Sequence, residues 1–138
     1  MQFHYQEVPT IFGYPDQLNQ VWNNLIHNAL EAMAYNGTLE IGISSDETEV
    51  VVYIKDDGMG IPPQYKSRIF EPFFTTKAAG QGSGLGLDIV NKVVAVHQGQ
   101  VIFDSEEGIG STFWVHLPKQ LIENKPISIN VSSEIEKV

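Results

Sequence analysis

The chain has 138 residues, the length of one domain, and 42% of them are apolar, enough for a packed core without a disulfide or structural metal. It contains no cysteine, which excludes a disulfide framework, a thiolate metal site and a cysteine nucleophile. Eight basic residues against 17 acidic ones leave a formal charge of −9, which disfavours nucleic acid and anionic membranes as partners, and no apolar run reaches the ~20 residues of a membrane helix. An anionic ligand would therefore have to be held by local donors, by backbone N–H groups or by a metal. The first residues lack a basic-then-apolar signal pattern, and the cysteine count fits a reducing compartment, so the expected location is cytoplasmic.

Phe3 to Phe12 alternates imperfectly and predicts one strand ending at Gly13. From Asp16 to Ala34 the period becomes helical. Leu18, Val21, Leu25, Ala29 and Ala32 make the inner stripe, widened by Trp22, Ile26 and Met33, with Asp16 in the cap or first turn. Asn36-Gly37 ends the helix, and Gly37 suits the left-handed position after it. Thr38–Ser44 and Glu49–Lys55 read as a hairpin, followed by a Gly/Pro loop from Asp56 to Pro63 and a short helix from Pro63 to Phe70. Glu71–Gly84 has no period and reads as a mobile loop. Leu85–His97 is helical, with Leu87, Val90, Val94 and His97 inward. Gln100–Ser105 and Ser111–Leu117 form a second hairpin, and Pro118 closes the domain at residues 1–118. Residues 119–138 read as a polar tail or linker in which Ile127, Ile129 and Val131 alternate as an added strand would. Hairpins between helices argue for an α+β two-layer sandwich over a doubly wound parallel sheet.

Three segments carry chemistry. Asn24, Asn28 and Glu31 share one flank of the first helix, on the shoulder of its apolar stripe. A solvated amide flank explains them in isolation; a neutral oxygen ligand for a hard cation such as Mg²⁺ is the functional reading. Asp56-Asp57-Gly58-Met59-Gly60-Ile61 follows a strand directly. The carboxylate can accept from an exocyclic amine, and the glycines admit a flat ligand, although an ordinary Asp-Gly turn accounts for the segment equally well. Gly80-Gln81-Gly82-Ser83-Gly84-Leu85-Gly86-Leu87 opens a helix with alternating glycines, which exposes backbone donors to an anion. Its spacing is neither that of a dinucleotide fingerprint nor that of a Walker A loop. Lys66, Arg68 and Lys77 lie between the two glycine segments, a local cation excess that favours a phosphate-facing loop. Phe70, Phe73 and Phe74 in the same stretch suit core packing or a loop anchor.

Taken in order, these segments resemble the boxes of the GHKL ATPase superfamily. Asn24 to Ala29 resembles the N box, Asp56 to Gly60 the G1 box, Phe70 to Phe74 the F box and Gly82 to Leu87 the G2 box. The combination is most similar to the catalytic ATP-binding domain of a bacterial sensor histidine kinase of the nitrogen-regulator-like branch, over about Phe3 to Pro118. The resemblance implies a Bergerat sandwich, a mixed sheet covered on one face by about three helices, with ATP and Mg²⁺ as cofactors. It implies Asn28 on the metal, Asn24 near the phosphates or the metal shell, Asp56 on the adenine amine, and Gly58, Gly60, Ile61 and Phe70 around the nucleotide. It further implies Gly82, Ser83, Gly84, Leu85, Gly86 and Leu87 as hinge and phosphate cradle, with Lys77 and Arg68 as phosphate contacts. Gyrase-, MutL- and Hsp90-like relatives carry a carboxylate base where this chain has Asn24, so slow hydrolysis is implied. The γ-phosphoryl group would then pass to a histidine on a separate dimerisation and phosphotransfer domain, with a response-regulator receiver downstream and no nucleic acid or membrane contact.

Too little chain precedes the first helix for that acceptor domain, and His4, His27, His97 and His116 sit on strands and helices of the ATP domain itself. The chain therefore reads as an excised catalytic domain, and membrane anchoring of its parent stays open. A serine kinase of the anti-sigma type shares all four boxes and stays open, as does a nucleotide-gated interaction module without transfer.

Overall fold

The computed structural model describes residues 2–5, 10–72, 74, 86–119, 127–136 and 138. Five strands form the main sheet in the order β1-β3-β4-β6-β5: Gln2–Tyr5 (β1), Leu39–Ser45 (β3), Glu49–Asp56 (β4), Gly110–Pro118 (β6) and Gln100–Glu106 (β5). β1 runs parallel to β3 and the other pairs are antiparallel, so the sheet is mixed. Helices α1 (Pro15–Ala32) and α2 (Gly86–Val96) cover one face.

Period-two alternation decides which face is covered. Val50, Val52 and Ile54 of β4 are buried, whereas Val51 and Tyr53 between them are half-buried. With Ile41, Ile43, Phe113, Val115 and Leu117 they meet Leu18, Val21, Trp22, Leu25 and Ala29 of α1 and Val90, Val93 and Val94 of α2. Each such fully buried aliphatic side chain contributes about 1.5–3 kcal/mol.

Two expectations change. The predicted strand from Phe3 to Phe12 is two strands: β1 pairs with β3, and β2 (Thr10–Gly13) pairs antiparallel with β7 (Ile127–Asn130) in a separate ribbon. The alternating pattern cannot reveal that the chain changes sheet midway. The first helix ends at Ala32, and Ala34 (φ 52°) and Tyr35 (φ 61°) take the left-handed turn in place of Gly37. Gly37 instead sits where a Cβ would strike the Asp57 carboxylate and the Met33 side chain, so it is small for want of space. Asp16 lies in the first turn and Tyr14 is the N-cap, without a side-chain capping bond. A six-residue helix α3 (Val131–Glu136) packs on α1 through buried Val131 and Ile135.

Candidate functional site

Two separate segments, the start of α2 and the Asp56–Ile61 loop, converge on the second half of α1. Asn24 and Asn28, one helical turn apart, are half-buried on the same flank, as is Glu31. The Asn24 amide donates to the carbonyl of Gly86 across 3.1 Å, which ties the first residue of α2 to α1. One turn beyond Asn28, the Ala32 carbonyl accepts from the Met59 N–H at 3.0 Å, and a Cβ on Gly58 would stand 2.5 Å from that same oxygen. The Asp56–Ile61 loop therefore lies directly against the end of α1, next to Asn28.

Asp56 ends β4 and is 6% exposed. Its Oδ1 accepts from the Gly58 N–H at 2.9 Å. Burial pushes its carboxyl above the usual range, while the N–H groups of Gly58 and Ser111 pull it back. Gly60 has φ +71°, and a Cβ there would run into the Glu106 carbonyl, so only glycine fits. The Ile61 N–H donates to Ser105 Oγ at 2.7 Å.

Phe70 is half-buried and packs edge-on against Phe103 at 5.8 Å, which stacks on Phe113 at 5.6 Å. The Arg68 guanidinium lies 4.7 Å over the Phe74 ring and 3.5 Å from the Glu71 carboxylate, and Lys66 donates to the Ser105 carbonyl at 2.6 Å. Gly86 and Leu87 open α2, with Leu87 half-buried. Lys77, Gly82, Ser83, Gly84 and Leu85 lie outside the described residues, as does Phe73.

Sequence reasoning missed Ser105 and Ser111, both buried and 2.7 Å apart through their hydroxyls. A signal existed: both occupy inward positions of β5 and β6, where Val101, Phe103, Phe113 and Val115 are apolar, so two hydroxyls there break the pattern. A shallow cleft of about 500 Å³ lined by Thr48, Glu49, Gln98 and His116 lies at the other end of β4 and holds none of the residues implied for nucleotide binding.

No group of three or more His, Asp or Glu side chains able to hold a metal occurs among the described residues. The Asn28 amide oxygen is a hard donor, and it fits a cation that takes its remaining oxygens from a phosphate ligand and water.

Residues 13–121 match the family described as histidine kinase-, DNA gyrase B- and HSP90-like ATPase. Among curated proteins, the chain is 44% identical over 110 residues to sporulation kinase A of Bacillus subtilis, covering 80% of this chain and 18% of that protein. It is 39% identical over 119 residues to the sensor histidine kinase ZraS of Escherichia coli K12, covering 86% of this chain and 25% of that protein. The chain thus spans about a quarter or less of these relatives. Among solved structures, the catalytic domain of the histidine kinase ThkA superposes with a TM-score of 0.75 at 34% identity, over 86% of this chain and 78% of that one. Full-length ShkA in complex with AMPPNP gives 0.72 at 30% identity, over 85% of this chain and 25% of that one.

Proposed function

Because this chain belongs to the histidine kinase-, DNA gyrase B- and HSP90-like ATPase family, we propose that it binds Mg·ATP and presents the γ-phosphate to a histidine on a separate phosphotransfer domain. The observation that carries the reading is the convergence of the Asp56–Ile61 loop and the start of α2 on the stretch of α1 that bears Asn24 and Asn28. The AMPPNP complex of ShkA, a protein similar to this chain, supports it.

In this reading Asp56, held by Gly58 and Ser111, accepts from the adenine amine, and Gly58 and Gly60 let the ring approach. Ile61 and Phe70 border the base. Asn28 holds Mg²⁺, which neutralises charge on the phosphate oxygens. Gly82, Ser83, Gly84, Leu85, Gly86 and Leu87 line the phosphates, with Lys77 as a cation beside them. Asn24 ties down the start of α2 and offers no carboxylate to deprotonate water. The imidazole nitrogen of the acceptor forms a bond to Pγ as the bond from Pγ to the bridging oxygen breaks, and ADP leaves. Such transfer is mostly positioning and charge neutralisation, so donor and nucleophile can sit on different domains. A receiver domain would take the phosphoryl group next. No helix among the described residues is long and apolar enough to cross a membrane, and the reading places this domain in the cytoplasm.

Calorimetric titration with a non-hydrolysable ATP analogue, first with Mg²⁺ and then with EDTA, tests the proposal. One site per chain with metal-dependent affinity is expected. No saturation in either condition would overturn it.

A further inference from the structure

The loop from Asp56 to Ile61 has two ends, and Ser105 and Ser111, joined through their hydroxyls, reach both, Ser111 by its backbone N–H and Ser105 by its hydroxyl. At the first end, the Ser111 N–H supports the Asp56 carboxylate, and Ser111 pairs with Asp56 in the β4–β6 register. At the second end, Ser105 Oγ accepts the Ile61 N–H at 2.7 Å. The two hydroxyls are 2.7 Å apart. The single hydroxyl proton of Ser105 is directed either to Ser111 Oγ or to the Gly110 carbonyl at 3.3 Å. The backbone of Ser105 adds a third tie, accepting from Lys66 Nζ in the 3₁₀ helix Pro63–Arg68 that follows the loop. Midway along the loop, the Met59 carbonyl accepts from the Gly108 N–H at 2.7 Å.

We propose that Ser105 is a positioning residue for adenine recognition: through Ile61 and Ser111 it holds the loop so that the Asp56 carboxylate faces the base. The proposal rests on the nucleotide reading above for its consequence, but not for its geometry. A strand hydroxyl buried to 6% exposure is a poor choice for packing alone, since it must be satisfied on every side. Here each of its bonds goes to the loop or to the strand that supports Asp56. Replacing it with alanine leaves the Ile61 N–H without its acceptor in a partly buried place, and the loop has to move to rehydrate it.

The test combines two readouts, one of which needs no nucleotide. In the nucleotide-free chain, Ile61 should be among the slowly exchanging amides, and Ser105→Ala should speed its exchange at least about tenfold. Carbon-13 titration of Asp56 should show its raised carboxyl moving toward the ordinary range in Ser105→Ala as water enters. With ligand, Ser105→Ala should weaken the Mg²⁺ complex of the ATP analogue about tenfold and leave Mg²⁺-tripolyphosphate binding unchanged. Ser105→Thr, which keeps the hydroxyl, should restore adenine affinity.

If wild-type Ile61 exchanges as fast as an exposed amide, the clamp is overturned, whether or not the alanine variant folds. If Ile61 exchange quickens and the Asp56 titration moves while adenine affinity stays constant, Ser105 is merely structural and the proposal falls. If the wild type binds no adenine nucleotide at all, the proposed function falls instead, and the Ile61 and Asp56 measurements still decide the clamp.

Discussion

Asn28 and His97 show how differently two polar side chains on helix flanks are used. Asn28 stays half-buried on the outer shoulder of α1, beside the loop that Ala32 holds. Asn28→Ala should leave the melting temperature nearly unchanged, because alanine is the better helix former. It should weaken binding of the Mg·ATP analogue at least about tenfold while leaving metal-free binding alone; unchanged affinity with Mg²⁺ present removes Asn28 from the metal site. His97 is 1% exposed at the end of α2. Its Nε2 accepts the Tyr14 N–H at 3.0 Å, so the ring is neutral, with its proton on Nδ1 directed to the Val93 carbonyl at 2.8 Å. Burial pushes its pKa below the ordinary imidazole value. The unfolded chain then binds the proton more readily than the folded one. Stability is complete above about pH 6.5 and falls below it, by at most about 1.4 kcal/mol per pH unit, until the folded pKa is passed. Thermal melts at pH 7.5 and pH 5.5 should show this loss in the wild type, and a smaller one in His97→Gln.

Among the elements, the end of α1 does the most positioning, because the loop after β4 docks on it without a side chain in between. A Cβ at Gly58 would meet the Ala32 carbonyl at 2.5 Å and the Met33 nitrogen at 2.9 Å, both backbone atoms of the helix end. Backbone cannot yield as a flexible side chain would. Gly58→Ala should therefore cost about 1–3 kcal/mol in urea unfolding and weaken nucleotide-analogue binding at the same time. A variant as stable as the wild type would mean that the loop and α1 separate easily. The β2–β7 ribbon holds a different part of the molecule. Ile11 and Ile129, partners in its register, are both buried, and the chain passes from Gly13 of β2 directly to Tyr14, whose N–H His97 holds.

For the whole molecule, division of labour is the proposed principle. His97 is enclosed, His116 lies 3.3 Å from the Glu49 carboxylate, and exposed His27 stands 3.8 Å from Glu31. None of these three lies on the loop or at the helix start where the phosphates would be held. Incubated with ATP and Mg²⁺, the isolated chain should acquire no acid-labile phosphate and release inorganic phosphate slowly. Phosphate on one of its own histidines would overturn the need for a separate acceptor domain. Brisk steady-state release would overturn the reading that Asn24, which offers no carboxylate to deprotonate water, leaves hydrolysis slow.

Much of the fold and part of the site could be read from neighbouring residues alone. The apolar stripe of α1, the alternation of β4 and β6 and the pairing within each hairpin depend on residues a few positions apart, and such patterns are written locally. The same holds for the placement of Asn24 and Asn28 on one flank and of Asp56 at a strand end. What required the tertiary structure was every relation closed across distance. The exchange of sheet between β1 and β2, the left-handed turn at Ala34 and Tyr35 above a crowded Gly37, and the Ser105 hydroxyl under Ile61 depend on partners far along the chain or packed in from another element. A sequence states which groups want partners; only the closed fold decides which partner each one meets, because a buried polar group takes whichever neighbour packing brings within hydrogen-bond reach.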